Sequence, residues 1–362
     1  MDRPLIPSRS PSSPTEGPRT LVFSVRPRAG LLRSVLVAAI VGAVVVPACT
    51  PPTVPDRGVV TAPIGGGRDP SVDVAPSAGC SGVVSPIAPG RRTVMIEAGG
   101  VTRTAVLDVP AGAAGTAVEA SAAPRPLLVS LHPFAMDPAI WDSYSALATA
   151  GTARGYVVVT PLGSAPGPRW AVPGGLAADV DDLAFISALV DHIGRVTCVD
   201  RNRVFAVGFS AGAAMAQALS CTMPDRFAAV AGSGGVNLTS LCPGAPPTDV
   251  LVLHGTADPI VPPAGSQVPF SPPVGLAVAA VVAVDAARAG CDPVPELDRP
   301  EPSVLRERYR GCADGRRVES LTLIGAGHTW AGSPNPLLEL VAGPTNTDIS
   351  ATATVLDFFG SG

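Results

Sequence analysis

The chain contains no lysine, so its basic side chains are all arginines. Charged residues make up only 15% of the 362 residues, and the formal net charge is −4 at pH 7. A protein that binds nucleic acid needs a basic surface to meet the phosphates, and this balance does not provide one. The composition therefore excludes nucleic acid as a partner. The lack of lysine itself indicates no mechanism.

The paired C-x-x-C spacing of zinc and redox sites is also missing, although the chain has seven cysteines. Asp179, Asp181 and Asp182 form an acidic group that no histidine or cysteine joins. They open a stretch with helical periodicity, where carboxylates cap free N–H groups and meet the positive end of the helix dipole. The sequence therefore predicts neither a metal site nor a cofactor.

Long apolar runs are absent as well. Residues 34–46 are apolar, but a transmembrane helix needs about 20 such residues. With arginines before it and Val-Pro-Ala-Cys at its end, this run predicts a signal peptide over 31–49. The ending resembles a bacterial lipobox, which implies a lipid on Cys49. We therefore expect a protein that is secreted or anchored through lipid to the outer face of the cell membrane. Residues 1–30 are expected to be a disordered extension, and residues 50–78 form a Pro/Gly-rich linker.

The remaining cysteines support export from the cytoplasm. If Cys49 carries lipid, an even number is left, which fits three disulfides in an oxidising compartment. Six cysteines allow 15 pairings, so the sequence does not fix them. Proximity in sequence favours a Cys291–Cys312 bond. The six are Cys80, Cys198, Cys221, Cys242, Cys291 and Cys312.

Residues 79–362 have a length that suits one α/β domain. Two apolar stretches joined by Gly99 and Gly100 predict an antiparallel hairpin. Apolar strands then alternate with helical stretches, and a closing helix is expected over 349–359. This alternation predicts a mostly parallel central sheet with helices on both faces. The expected strands cover residues 92–97, 102–109, 127–131, 156–160, 204–207, 250–253 and 320–324.

Ser210 lies in the sequence Gly-Phe-Ser-Ala-Gly at 208–212. The apolar run 204–207 precedes this motif and the Ala-rich stretch 211–219 follows it. A strand, a tight glycine-flanked turn and a helix form the nucleophile elbow of serine hydrolases, in which the serine is exposed on a strained turn. The alternative is a glycine-rich turn without chemistry. The flanking pattern favours a nucleophilic Ser210.

A serine nucleophile needs a base, and only two of the four histidines, His254 and His328, follow it in the chain. His328 comes after the strand 320–324, and Asp258 comes after the strand 250–253. Taken singly, Asp258 is also explained as a turn former and His328 as a loop residue. The order Ser210, Asp258, His328 at successive strand ends predicts a triad in which His328 takes the serine proton and Asp258 orients the imidazole.

The tetrahedral intermediate of such a reaction needs backbone N–H donors. Ala211, directly after the nucleophile, is the expected first donor. The second ordinarily comes from the loop after an early strand, here beginning at His132. Pro133 has no N–H, so the donor is expected to be Phe134 or a neighbouring residue, and we assign the role to Phe134.

From about residue 77 to residue 359 the chain resembles the polyhydroxybutyrate depolymerase-like and feruloyl esterase-like secreted esterases, a branch of the α/β-hydrolases. The resemblance implies the α/β-hydrolase fold and an extracytoplasmic carboxylic ester hydrolase that acts through the predicted triad and an acyl-enzyme. This chain departs from the family at Pro133, where the family usually has glycine. The matching stretches are 77–80, 180–186, 198–204, 208–212, 254–262, 290–291 and 327–330.

Two aromatic positions are assigned as candidate substrate contacts. Trp330 resembles an aromatic residue that this family places near the mouth of the active site, although a core position explains it equally well. His132, at the end of an early strand, is the second candidate.

Other functions fit parts of the sequence. The departure at Pro133 raises the alternative of a cell-envelope lipoprotein that binds a ligand without turnover. A serine peptidase on the same fold is a weaker alternative. For an esterase, the expected substrates are polyesters, feruloylated or acetylated polysaccharides and short-chain esters, and the membrane is a partner only through the lipid on Cys49.

Overall fold

The structure is a computed structural model, and it describes residues 74–81, 87–111, 123–164, 168–174, 181–265 and 275–360. These residues contain one sheet of ten strands in the order β1-β2-β4-β3-β5-β6-β7-β10-β9-β8. The strands are β1 Gly90–Ala98, β2 Val101–Val109, β3 Arg125–Leu131, β4 Val157–Pro161, β5 Val199–Phe209, β6 Ala229–Ser233, β7 Asp249–Gly255, β8 Glu296–Glu301, β9 Val304–Arg308 and β10 Val318–Leu323.

Seven α-helices accompany the sheet in the described part of the chain. They are α1 Pro138–Ser145, α2 Leu147–Ala153, α3 Asp182–Val196, α4 Ala211–Thr222, α5 Val278–Arg288, α6 Pro336–Ala342 and α7 Ala351–Gly360. Asp181 caps α3 by accepting the N–H of Ala184 at 2.8 Å. Asp182 is fully buried and pairs with Arg103 at 2.8 Å. The predicted capping role is thus confirmed for Asp181, and Asp179 lies outside the described residues.

The central strands β4, β3, β5, β6, β7 and β10 pair in parallel, and antiparallel strands extend the sheet on both sides. In a parallel sheet the strands end at one edge. Leu131 pairs with Gly208, Phe209 pairs with Ser233, and Gly255 pairs with Leu323. The carboxyl ends of five strands therefore lie at one edge of the sheet. The predicted triad residues follow three of these ends, those of β5, β7 and β10.

Hydrophobic side chains cover both faces of the sheet. Alternate residues of β3 point to opposite sides, with Leu127 in one core and Leu128 in the other. Helices α3, α4 and α5 contribute to the first core, and helices α1, α2 and α7 to the second. The predicted α/β-hydrolase architecture, with a mostly parallel central sheet covered on both faces, is confirmed.

The glycine turn of the predicted hairpin is also confirmed. Gly99 and Gly100 both have positive φ, at 60° and 76°, which the tight turn between β1 and β2 requires. The sequence patterns do not predict three of the observed strands. The strand β6 is rich in alanine and glycine, while β8 and β9 are largely charged, so none carries the β-branched pattern of a buried strand.

Candidate active site

Ser210 follows the last residue of β5 and precedes α4, with φ of 54° and ψ of −118°. A non-glycine residue adopts such a conformation only where its surroundings impose it, at a cost on the order of 1–3 kcal/mol. The Ser210 N–H donates to the carbonyl of Ser233 at 2.9 Å, which fixes the turn to the neighbouring strand. The predicted strand, strained turn and helix are all present.

The two glycines of the motif are required by close backbone contacts. A Cβ on Gly208 would lie 2.2 Å from the carbonyl of Gly212. A Cβ on Gly212 would lie 2.1 Å from the carbonyl oxygen of Leu131, the last residue of β3. The start of α4 is thus packed directly against the end of β3, so the loop that follows β3 lies beside the elbow at 208–212.

Asp258 lies in the loop after β7, and its carboxylate is held from two sides. Oδ1 accepts the N–H groups of Ile260 at 2.9 Å and Val261 at 2.7 Å. Oδ2 lies 2.7 Å from Nδ1 of His328. Burial alone would raise the pKa of Asp258, but contacts with His254 and His328 outweigh it and hold the pKa well below its ordinary value. Asp258 is therefore a carboxylate suited to orienting an imidazole.

His328 is fixed through its backbone as well as its ring. Its N–H donates to the carbonyl of Ala342 at 2.6 Å, and the N–H of Gly327 donates to Pro344 at 2.8 Å. The side chain is 7% exposed. Because Nδ1 faces Asp258, Nε2 is the nitrogen left to accept a proton.

A second imidazole contacts the same loop. Nε2 of His254 lies 2.8 Å from the carbonyl oxygen of Val261 and 3.5 Å from Oδ2 of Asp258. The short contact joins the end of β7 to the far side of the Asp258 loop. His254 is thus a structural neighbour of the carboxylate, while His328 makes the close contact with it.

The turn 233–235 after β6 contacts both Ser210 and His328, and sequence reasoning missed it. A Cβ on Gly235 would lie 2.0 Å from the carbonyl oxygen of Ser210. A Cβ on Gly234 would lie 3.3 Å from Nδ1 of His328. Ser210 and the imidazole of His328 therefore both lie against this turn. The run Gly-Ser-Gly-Gly at 232–235 is the sequence signal that indicates such a close approach.

The predicted oxyanion donors are Ala211 and Phe134. Ala211 is the first residue of α4, so its N–H has no partner within the helix. Pro133 uses its carbonyl to accept the N–H of Met136 at 3.3 Å, and Ala135 donates to Pro168 at 2.8 Å. Among the described residues, the N–H of Phe134 has no hydrogen-bond acceptor. In the part of the chain that the structure describes, the N–H groups of Ala211 and Phe134 thus have no backbone acceptor, and both lie at the edge of the sheet where Ser210 follows β5.

The assignment of His132 as a substrate contact is wrong, because the residue is fully buried. Its Nε2 accepts the N–H of Gly163 at 2.9 Å, and its Nδ1 lies 2.8 Å from the carbonyl oxygen of Pro133. Its ring packs against Trp170, with 4.7 Å between centroids. Burial lowers the pKa of His132 to about 4. This imidazole is neutral at pH 7 and supports the loop from beneath.

Trp330 also lies in the core, which corrects its assignment as a substrate contact. The side chain has no exposed surface, and its Nε1 donates to Thr352 at 2.9 Å. It packs edge-on against Trp141 at 5.2 Å. The core alternative therefore holds for this residue, because the indole fills the space between α1 and α7.

Three disulfides link the six cysteines, and they join Cys80 to Cys198, Cys221 to Cys242 and Cys291 to Cys312. The predicted Cys291–Cys312 bond is confirmed. The predicted signal peptide, the predicted linker up to residue 73 and Cys49 lie outside the described residues. In the ranges that the structure does describe, no helix is long and apolar enough to cross a membrane, and no cluster of side chains is arranged to hold a metal ion.

Comparison with known proteins places these features in a family. Residues 181–268 match the profile described as phospholipase/carboxylesterase. The chain is 32% identical over 259 residues to NocK of Nocardia uniformis subsp. tsuyamanensis, an inferred esterase, and the alignment covers 66% of this chain and 75% of NocK. It is 31% identical over 214 residues to feruloyl esterase B of Piromyces equi, covering 56% of this chain and 39% of that protein.

A solved structure supports the same fold. The acetyl xylan esterase of Aspergillus awamori superposes with a TM-score of 0.52 at 16% identity, covering 75% of this chain and 100% of that one. At this identity the likeness concerns the fold alone. The alignment with NocK covers three quarters of that protein at 32% identity, and it therefore shows the family. This chain therefore belongs to the carboxylesterases of the α/β-hydrolase family.

Proposed function

We propose that the protein is an extracytoplasmic serine carboxylesterase with Ser210, His328 and Asp258 as its catalytic triad. The observation that carries the proposal is the 2.7 Å contact between His328 and Asp258. The ring centroid of His328 also lies 4.8 Å from that of Phe209, the residue directly before a serine on a strained turn. A buried carboxylate on Nδ1 favours the tautomer whose Nε2 accepts a proton.

The proposed reaction has two steps, acylation of Ser210 and hydrolysis of the acyl-enzyme. In the first, Ser210 Oγ bonds to the ester carbonyl carbon while its proton passes to His328 Nε2, and the C–O bond to the alcohol breaks as His328 returns the proton to the leaving oxygen. In the second, water gives a proton to His328 and its oxygen bonds to the acyl carbon. The bond to Ser210 then breaks, Oγ regains the proton and the carboxylic acid leaves.

The negative oxygen of each tetrahedral intermediate would accept hydrogen bonds from the N–H groups of Ala211 and Phe134. Support comes from the packing of α4 against the end of β3, which brings the two loops together. Pro133 has no N–H to donate, but within the described ranges the N–H of its neighbour Phe134 has no backbone acceptor. For this reason the binding-protein alternative gains no support from Pro133.

The substrates we propose are esters of small or aromatic carboxylic acids, such as feruloyl or acetyl groups on a polysaccharide, short polyesters and short-chain esters. Similarity to feruloyl esterase B supports an aromatic acyl group. Because this alignment covers only 39% of that protein, the substrate must be tested directly.

A direct test compares the full-length chain with Ser210→Ala on p-nitrophenyl acetate, p-nitrophenyl butyrate and ethyl ferulate. We expect Ser210→Ala to lower kcat by at least about 1,000-fold, and a fluorophosphonate to add once, on Ser210, by mass spectrometry. Ser81→Ala, an exposed serine far along the chain, is the matched control and should keep full activity. Hydrolysis that persists in Ser210→Ala, or a well-folded wild type without activity, would contradict the proposal.

Export and lipid anchoring form a separate part of the proposal. The three disulfides support an oxidising compartment, and the apolar run before Cys49 supports a signal peptide. Metabolic labelling with an alkyne fatty acid should label the wild type in the membrane fraction and leave Cys49→Ser unlabelled. Equal labelling of both chains would contradict lipid attachment at Cys49.

A further inference from the structure

Phe209, the residue directly before the nucleophile, lies under the catalytic imidazole. Its ring centroid is 4.8 Å from that of His328, and the two planes are inclined by 33°. The phenyl group is 3% exposed, so it shows almost no surface to solvent or substrate. In the sequence this residue is the first of the two variable positions of the Gly-x-Ser-x-Gly motif.

Other aromatic side chains hold the phenyl ring in place. Trp141 lies nearly parallel to it at 6.1 Å, Trp330 meets it edge-on at 6.1 Å, and Tyr144 lies at 6.4 Å. We call Trp141, Tyr144, Phe209 and Trp330 the aromatic cluster. Because its members surround the phenyl ring, Phe209 cannot withdraw from the imidazole without disturbing the core.

Hydrogen bonds fix the cluster in turn. The indole N–H of Trp141 donates to Ser130 at 2.9 Å, and that of Trp330 donates to Thr352 at 2.9 Å. Each large ring is therefore tied by a polar atom as well as packed by its faces. The support beneath His328 is rigid, as a positioning element requires.

We propose that Phe209 is a positioning residue whose ring face holds the His328 imidazole and stabilises its protonated form. The proposal rests on the proposed function, in which His328 becomes an imidazolium during each half of the reaction. An aromatic face within about 6 Å of a cation attracts it through the ring quadrupole. Asp258 meets the imidazole at Nδ1, while Phe209 supports the ring, so the two restrain different motions.

Among the described residues, few charged or titratable groups lie near His328. Asp258 makes direct contact, and His254 lies behind that carboxylate. The Tyr144 hydroxyl accepts the backbone N–H of Trp330 at 2.8 Å. Burial raises the pKa of this hydroxyl to about 12, so it is neutral. Glu339 on α6 acts on Tyr144 through charge alone. Of these groups Tyr144 packs against Phe209, and its neutral hydroxyl adds no charge beside His328, so a comparison of variants reports on the phenyl ring.

The experiment uses Phe209→Leu, which removes the π face and keeps an apolar side chain. The matched control is Phe205→Leu. Phe205 lies on the same strand, is 4% exposed, and stacks on Phe359 at 4.7 Å rather than on His328. Phe209→Tyr keeps the ring face and serves as the rescue variant. The imidazole signal of His328 is assigned by its loss in His328→Gln and titrated by NMR, a measurement that needs no turnover.

We expect Phe209→Leu to move the titration midpoint of His328 down by roughly half to one pH unit, because the protonated ring loses its aromatic partner. Plateau kcat/KM should fall about 3- to 10-fold with the acid limb displaced the same way. Phe205→Leu should lose stability without either change, and Phe209→Tyr should return the midpoint toward that of the wild type.

An unchanged midpoint in Phe209→Leu, or an equal displacement in Phe205→Leu, would overturn the proposal. A displaced midpoint in a protein without Ser210-dependent hydrolysis would support the contact between the rings and overturn the proposed triad instead. The two failures are therefore distinguished by separate readouts.

Discussion

Asp258 and His328 are 70 residues apart in the sequence, yet Oδ2 of the carboxylate lies 2.7 Å from Nδ1 of the imidazole. Their strands explain the contact, because β7 and β10 are parallel neighbours and both residues follow the ends of these strands. The same carboxylate receives two backbone N–H groups from its own loop. Its position is thus set before any substrate binds.

The first prediction concerns Asp258→Asn. The amide keeps the size of the side chain but removes the charge that stabilises the imidazolium and favours the working tautomer. We expect kcat to fall by about 10,000-fold while KM changes little. Steady-state kinetics with p-nitrophenyl acetate measure both quantities. Asp191→Asn, at a half-exposed position on α3, is the control and should match the wild type. A loss smaller than about tenfold in Asp258→Asn would show that this carboxylate does not orient the base.

The second prediction concerns Gly212→Ala. A methyl group there would lie 2.1 Å from the Leu131 carbonyl oxygen, so α4 must move away from β3. Such a shift displaces Ala211 relative to Phe134, and a displacement of about 1 Å is expected to lower kcat/KM by roughly 100-fold. Gly244→Ala is the control, because nothing lies within 4 Å of its added Cβ. Full activity in Gly212→Ala with an intact melting transition is the result that contradicts this packing.

The hairpin, the central strands and the positions of Ser210, Asp258 and His328 after strand ends could be predicted because each follows from a local sequence pattern. Gly99 and Gly100 indicate a tight turn, and the apolar runs before Ser210, Asp258 and His328 indicate buried strands whose ends meet. A local sequence pattern does not show which loops contact each other in the folded chain. The approach of the turn 233–235 to both Ser210 and His328 depends on β6, whose composition does not predict a strand.

The same limit explains the two wrong substrate contacts. The assignment of His132 rests on its place at the end of an early strand, and the assignment of Trp330 rests on a resemblance to an aromatic residue of the family. In the structure both side chains turn inward, where Gly163 and Thr352 satisfy their ring nitrogens. Side-chain direction at a strand end follows from tertiary packing, which a single sequence does not show.

The third prediction compares two disulfides. In the chain-entropy model, a cross-link stabilises the fold more when it closes a longer loop. The Cys80–Cys198 bond spans 118 residues and the Cys291–Cys312 bond spans 21. Replacing both cysteines by alanine should lower the free energy of unfolding by about 5 kcal/mol for the first pair and about 3 kcal/mol for the second.

Urea denaturation at pH 7 under non-reducing conditions measures these losses. The two double variants control for each other, since each removes one disulfide bond and its two sulfur atoms. If Cys291→Ala/Cys312→Ala were the less stable protein, local packing around that bond would outweigh loop closure.

The last prediction concerns pH and His132. Burial lowers the pKa of this imidazole to about 4 in the folded protein, whereas the unfolded chain has the ordinary value near 6.5. Above pH 6.5 neither state binds the proton. As the pH falls from 6.5 toward 4, the unfolded state binds it and the folded state does not, so the free energy of unfolding decreases. Below pH 4 both states are protonated and this contribution stops changing.

His132→Gln removes the titrating group while keeping a donor and an acceptor for Pro133 and Gly163. Between pH 7.5 and pH 5 we expect the wild type to lose about 2 kcal/mol more free energy of unfolding than this variant. Urea denaturation at both pH values gives the difference, in which titrations common to the two chains cancel. His192→Gln, at a half-buried position on α3, should show a smaller difference. Equal pH dependence in the wild type and His132→Gln would contradict this prediction, because it would mean that His132 binds its proton as readily in the folded protein as in the unfolded chain. The contacts of the buried imidazole with Gly163, Pro133 and Trp170 oppose that outcome.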